Sequence, residues 1–417
     1  MAELRNIAAV EAAAVKAVNE VAITDIHTHL FPPSHGNLLL WGVDELLTYH
    51  YLVAELFTVA PRGLTIGAFW DMPKREQADL VWEHVFIKHG PLSEAARGVI
   101  TCLNALGLDV VGRDLAGIRK WFAAQKVDDY LAKVFDLAGL DYAVMTNNPF
   151  LSEEVEQWQA GRPVPERLRT ALRIDMLLFD WPAAAKAMRS QGYKTAAKPD
   201  AKGFVAARRF LADWAAKIKP LYLASSCPND FVYPARDTCA AVIEKVVIPA
   251  ARDLGLPVAL MIGTRRQVNP ALRAGGDGVG VADVGSVQAL VARNPGVQFL
   301  VTMLSRVNQH ELCVLARKFG NLHVFGCWWF CNNPSIIEEM TRMRMELLGT
   351  AVTLQHSDAR VLDQLIYKWR HSRQIIGRVL ADKCRDLFAA GWRPTEEEIR
   401  RDARALLGGS FEEFCAK

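Results

Sequence analysis

Short apolar runs rich in β-branched residues recur along this chain, and most are followed by an amphipathic helical pattern. They span Val21–Leu30, Asp141–Asn147, Thr170–Leu177, Leu221–Ser226, Pro257–Gly263, Val297–Ser305, Leu322–Phe330 and Thr350–His356. Most are hydrophobic at nearly every position, as strands are when both faces of a sheet are covered. Helical patterns separate the later runs, at Asp237–Leu254, Val284–Arg293, Asn308–Phe319 and Ser335–Leu348. Strand, helix, strand, helix implies a parallel sheet. Eight such units predict an α/β fold, a closed (β/α)8 TIM barrel spanning residues 1–417 as one domain, although a doubly wound open sheet shares the alternation.

The spacing of the runs is uneven. Residues 31–140 separate the first from the second, and they read as helical at Val43–Phe57, Lys74–Lys88, Ser93–Leu106 and Arg113–Leu137. A connection of that length must carry its own structure. It is expected to be a helical insertion over the mouth of the barrel. Residues 361–417 read as a C-terminal helical extension, with helices over Val361–Ala390 and Thr395–Leu407, the second opened by a Thr395/Glu398 capping box after Pro394.

Composition narrows the function classes. Lys and Arg number 49 against 46 Asp and Glu, a net charge of +3. That balance gives no electrostatic case for nucleic acid or an anionic membrane as a partner. No run of 18 uncharged apolar residues is present, and Met1–Glu20, interrupted by Glu3, Arg5, Glu11 and Lys16, reads as an amphipathic helix rather than a signal peptide. The eight cysteines form no Cys-x-x-Cys pair. They read as reduced thiols of a cytoplasmic protein.

Chemistry concentrates at strand ends. His27 and His29, in Ile23-Thr24-Asp25-Ile26-His27-Thr28-His29-Leu30, are two apart on the first run, so both imidazoles point into one space. Two neutral imidazoles on a rigid strand suit Zn²⁺ or a similar divalent ion. A chain with 10 histidines produces such pairs by chance, so position matters more than pattern. Asp358 follows the eighth run, which a barrel places beside the first. It can complete the metal site or act as a base there, or it can cap the helix predicted from Val361.

Asp25-Ile26-His27-Thr28-His29-Leu30 with an Asp after strand eight resembles the amidohydrolase superfamily of metal-dependent hydrolase-like barrels. Asp44-Glu45-Leu46-Leu47-Thr48-Tyr49-His50-Tyr51, Ala171-Leu172-Arg173-Ile174-Asp175, Met303-Leu304-Ser305-Arg306, Phe325-Gly326-Cys327-Trp328-Trp329-Phe330, His356-Ser357-Asp358-Ala359-Arg360 and Lys368-Trp369-Arg370 narrow the resemblance to the uronate isomerases, in their divergent bacterial branch. It runs over nearly the whole chain, insertion included. It implies a cytoplasmic homo-oligomer of hexuronate catabolism that interconverts D-glucuronate with D-fructuronate, and D-galacturonate with D-tagaturonate. One divalent ion, zinc first, would sit on His27, His29 and Asp358. The resemblance gives Asp358, or a water it holds, the C2 proton, Tyr51 the C1 proton, and Arg360 the C1 carbonyl oxygen. The sequence does not settle which of Asp358 and Tyr51 acts at C2.

The superfamily's hydrolases add ligands after strands four, five and six. Here strand four ends Ser225-Ser226-Cys227-Pro228 and strand five Met261-Ile262-Gly263-Thr264-Arg265, and His310 is the nearest histidine after strand six. Open metal positions would let a hydroxy acid chelate through its carboxylate and a hydroxyl. Arg173, Arg265, Arg266, Arg306 and Arg360 all follow strands, which favours an anionic sugar-acid substrate, and Arg173 and Arg306 are expected to position it. His50 joins them as a substrate contact by resemblance. Trp328, Trp329 and Trp369 can stack on a sugar or pack the wall; Trp329 and Trp369 are taken as substrate contacts. The alternative is a mononuclear metal-dependent hydrolase or decarboxylase of a carboxylated substrate, needing a further ligand such as His310. A third class, a non-catalytic sugar-acid-binding protein of this fold, predicts a lost ligand, and none is lost.

Three patterns are set aside. Gly276-Asp277-Gly278-Val279-Gly280 neither follows a strand nor opens a helix, so it reads as a loop able to line the mouth rather than a dinucleotide fingerprint. Cys327 and Cys331 read as packing on a strand. Arg342 and Arg344, alternating with Met340, Met343 and Met345, read as an ordinary amphipathic face.

Overall fold

The computed structural model describes residues 4–417. Its strands are β1 (Ile23–Thr28), β2 (Leu140–Asn147), β3 (Leu168–Arg173), β4 (Leu223–Pro228), β5 (Val258–Arg265), β6 (Gly278–Val279), β7 (Phe299–Met303) and β8 (Leu322–Val324). Seven make one curled parallel sheet in the order β1-β2-β3-β4-β5-β7-β8, while β6 runs antiparallel on the end of β5.

Burial explains the unbroken hydrophobicity of the runs. On β5, Val258, Leu260 and Ile262 belong to the core between sheet and helices, whereas Ala259 and Met261 belong to a second core inside the curl. Both faces of the strand are covered, so no polar alternation survives in the sequence. The inner core is plugged at one end by Phe411 and Phe414 of the helix Ser410–Cys415. The other end, where the strands finish, is left for polar side chains.

The eighth predicted strand, Thr350–His356, is corrected: it forms no ladder, only an isolated bridge between Phe325 and Thr353. Its backbone nonetheless touches both edges of the sheet. Thr353 exchanges hydrogen bonds with Val324 and Gly326 on the β8 side, Asp358 N donates to His27 O (3.1 Å), and His29 N donates to Ala359 O (2.7 Å). Side chains replace the rest of the ladder. Gln355 Oε1 accepts from Cys327 N (2.9 Å), and Asp25 Oδ1 accepts from Ser357 N (3.0 Å). Arg344, expected on a solvated face, is fully buried and donates to the carbonyls of Gly326 (2.8 Å) and Leu354 (3.3 Å) and to Gln309 Oε1 (3.1 Å). Its long stem lets a helix reach the irregular segment and bind carbonyls that no strand pairs.

Two other runs end early. The third gives way at Ile174 to the helix Asp175–Phe179, because Asp175 turns to pair with Arg173 and to accept from Ser226 N. The seventh keeps a ladder only over Leu322–Val324, so Cys327 and Cys331 do not lie on a strand. The chain turns at Gly326 (φ +62°), where a Cβ would stand 1.7 Å from His356 Nδ1.

Between β1 and β2 lie helices at Val43–Leu47, His50–Val59, Lys74–Val81, Glu94–Ala105, Leu115–Ala123 and Val127–Ala138. The predicted Val43–Phe57 helix is broken at Thr48 and Tyr49, which places His50 at the start of a new helix. The 26-residue helix Gln364–Ala389 packs along the N-terminal helix Ile7–Glu20. The Thr395/Glu398 capping box is formed in both directions.

Candidate metal centre and substrate cavity

His27, His29 and Asp358 converge at the strand ends, each offering a ligand atom within 4.8 Å of the others. Asp358 Oδ1 is 3.5 Å from His27 Nε2 and 3.3 Å from His29 Nε2. The β1 pleat delivers the two imidazoles from one face. Asp358 arrives differently. It is not the helix cap, since the helix begins at Gln364 behind Asp363. It sits in the left-handed region (φ 53°), with Ser357 Oγ accepting from Ala359 N across it (3.1 Å).

Hydrogen bonds behind the rings fix their tautomers. The Thr146 hydroxyl donates to Thr28 O, so its oxygen accepts from His29 Nδ1–H at 3.0 Å. The Tyr222 hydroxyl donates to Ile26 O and leaves its oxygen 3.5 Å from His27 Nδ1. Both Nε2 lone pairs therefore face the carboxylate. Burial drives His27 down to about 3 and His29 well below the usual imidazole range, so neither ring carries a second proton at neutral pH. His27 Nε2 and Asp358 Oδ1 are buried without a hydrogen-bond partner. Three electron-pair donors turned on one another repel unless a cation lies among them, and two imidazoles with one carboxylate is a set that a borderline divalent ion takes.

Asp25 and Trp369 support this arrangement from below. Trp369 is fully buried and donates from Nε1 to Asp25 Oδ2 (2.8 Å), while Asp25 Oδ1 holds Ser357 N. Trp369 is thus corrected from a substrate contact to a support of the Asp358 segment: its indole faces Asp25. Burial raises the Asp25 carboxyl to about 6.

A cavity of 160 Å³ opens beside the metal group, with His29, Asp358, Arg173, Arg266, Arg360, His50, Tyr49, Trp328 and Trp329 on its wall. Arg173 is locked by a two-point pair with Asp175 (3.0 Å each), so its guanidinium is held rather than searching. Arg266 and Asp277 pair at the rim, and Ala274 comes from the same loop, which therefore lines the mouth as expected. His50 is pushed down to about 3 by burial and by Arg360 and Lys368, and its Nε2 has no partner. A neutral ring with a free nitrogen is suited to a substrate hydroxyl.

Other expected residues fall elsewhere. Arg306 is exposed and pairs with Glu339 (2.8 Å), outside the cavity, because the short helical turn Arg306–Asn308 points it toward the helix Pro334–Leu348. Arg265 is exposed and off the wall as well. His310 is exposed on its helix and adds no ligand. Tyr51 faces an adjoining chamber; the tyrosine on the cavity wall is Tyr49, edge-to-face with Tyr51 at 4.9 Å. Tyr49, Tyr222, Thr146, Arg344 and Lys368 carried no residue-level signal. Asp25 did, through its shared parity with His27 and His29.

No protein-family model matches this chain, and none of the curated proteins searched does. Solved structures do. The chain is similar to a uronate isomerase from Bacillus halodurans, at 48% sequence identity and a TM-score of 0.97, over 99% of this chain and 98% of that one. It shares its fold with a uronate isomerase from Thermotoga maritima (14% identity, TM-score 0.77, 97% of each chain). The same holds for a glucuronate isomerase from Caulobacter crescentus (16%, TM-score 0.76, 98% of this chain and 94% of that one).

Proposed function

This chain belongs to the uronate isomerase family and is an isomerase; from that premise we propose that it interconverts D-glucuronate with D-fructuronate, and D-galacturonate with D-tagaturonate, in hexuronate catabolism. The observation that carries the reading is one cavity holding a His27/His29/Asp358 donor set together with Arg173, Arg266 and Arg360. A metal group and three guanidiniums around so small a space suit an open-chain sugar acid.

His27, His29 and Asp358 would hold one divalent ion, zinc by the softness of two imidazoles. When bound, that ion supplies Lewis acidity and an anchor for the C6 carboxylate and C5 hydroxyl. Arg173, fixed by Asp175, orients the carboxylate end. His50 and Trp329 hold the chain, the first by a hydrogen bond and the second by its indole face. Asp358 takes the C2 proton; burial raises its carboxyl above the ordinary carboxylate range, which makes it the stronger base. Arg360 stabilises negative charge developing on the C1 oxygen as the enediolate forms. Tyr51 returns a proton at C1, with Tyr49, on the cavity wall, as its rival. Both phenols are held well above their usual range by burial and so stay protonated, as a proton donor must.

The sheet edges joined through residues 351–359 support a closed (β/α)8 barrel as one domain, with 31–140 as a helical insertion and 361–417 as a C-terminal extension. Among the described residues no helix is long and apolar enough to cross a membrane; a cytoplasmic homo-oligomer is part of the same proposal. Metal-loaded protein incubated with D-glucuronate and D-galacturonate should yield the keto products. No keto product from either sugar acid would refute the reading.

A further inference from the structure

A second chamber, of 250 Å³, adjoins the metal cavity and shares His50, Ala274 and Trp329 with it. Its walls are otherwise unlike. Phe330, Tyr51, Tyr367, Ala54 and Ala95 make them mostly aromatic and aliphatic, and Lys368 is the one cation on them.

Lys368 is 3% exposed, and it forms no ion pair among the described residues. The chamber's single carboxylate, Glu94, is engaged by His371 (2.7 Å) and Arg97 (2.8 Å). The ammonium instead lies 5.6 Å from the Tyr51 ring centroid and 5.7 Å from that of Tyr367. Two ring faces at that distance offset part of the desolvation of a cation but supply no counter-charge. The amides nearby are already committed: Asn332 Nδ2 donates to His356 O and Ser357 O, and Asn333 Oδ1 caps the helix from Pro334. The free charge therefore faces the empty volume.

We infer that this chamber is a second binding site, separate from the metal centre, for a monocarboxylate carried on an apolar body, its carboxylate on Lys368 Nζ and its body against Phe330, Trp329 and the two tyrosine rings. A polyhydroxylated acid is the wrong guest here, since its hydroxyls would meet carbon walls with few free partners. A flat hydrocarbon acid leaves nothing unpaired. Burial lowers the Lys368 ammonium from its usual value, while Asp358, Glu94 and Asp25 pull it back up. A bound carboxylate would add to that pull. Because His50 and Trp329 form part of both walls, an occupant would touch the partition of the isomerase cavity without entering it.

Calorimetry with benzoate as probe tests this on the metal-loaded protein. One equivalent should bind per chain, and binding should persist after chelation of the metal. Lys368→Met should weaken it at least tenfold. Ala54→Leu, which fills the chamber from the facing helix and leaves Lys368 in place, should do the same. Acetate, with the charge but no body, should bind at least tenfold more weakly than benzoate. Absence of binding to the unaltered protein, loss on metal removal, unchanged affinity in Ala54→Leu, or parity of acetate with benzoate would each overturn the inference. Hexuronate turnover is measured separately. Protein that binds benzoate but isomerises no hexuronate leaves this site standing, whereas turnover without benzoate binding removes this site alone.

Discussion

Strand β1 and the segment 351–359 lie side by side and both deliver donors to the metal group, but they are built in opposite ways. β1 is a fully buried strand with a parallel partner in β2. Its pleat alone decides that His27 and His29 point together. The neighbouring segment has almost no ladder and is held by Gln355, Asp25, Asn332 and Arg344 side chains. It ends in a left-handed aspartate. A regular strand can place residues only at its repeat; an irregular one, pinned by side chains, can set a carboxylate where no repeat would. The contrast lies in how position is enforced, and it predicts that equal chemical importance comes with unequal structural fragility.

The largest effect tests that equality. His29→Ala and Asp358→Asn should each lower kcat by about 1000-fold or more, since each removes a metal donor, and chelation of the metal should match them. Near-normal turnover in Asp358→Asn would remove Asp358 as the base. The phenols come next. One of Tyr49→Phe and Tyr51→Phe should cost about 100-fold in kcat with little change in KM, and the other much less. Steady-state kinetics on both then names the proton donor, and equal small losses would exclude both.

Fragility is probed by the supports. Arg344→Met strands the Gly326 and Leu354 carbonyls and should destabilise the fold by about 3 kcal/mol in chemical denaturation. Trp369→Phe keeps the ring volume but frees Asp25, and should cost about tenfold in activity or metal affinity. If both variants matched the parent, the claim that side chains hold the Asp358 segment would fall. The smallest effect is a control: Arg306→Ala should stay within about twofold in kcat/KM, because its pair with Glu339 is exposed and off the cavity. A tenfold loss would return Arg306 to the substrate.

The same contrast marks how far the sequence could be read. Periodicity and strand spacing located β1, β2, β4, β5 and β7 and the paired histidines, because each depends on local repeat. The eighth run was hydrophobic enough to pass for a strand, but its partners are side chains hundreds of residues away, and no local pattern encodes those. Arg344 looked like part of a solvated face for the same reason: the carbonyls that bury it are brought in by the fold. Asp175 ended the third run through a pair with Arg173 that hydrophobicity does not register. Tyr49 and Tyr51 are two apart in one motif, and only the break at Thr48 decides which faces the cavity.

The helix His50–Val59 begins in the long connection after β1, whereas the cation's donors come from the sheet. Grip on the ion and choice of guest are therefore housed in separable parts of the chain. A lineage could rewrite residues 31–140 to admit a different acid while leaving the donor trio untouched, much as a lock is rekeyed without moving its bolt.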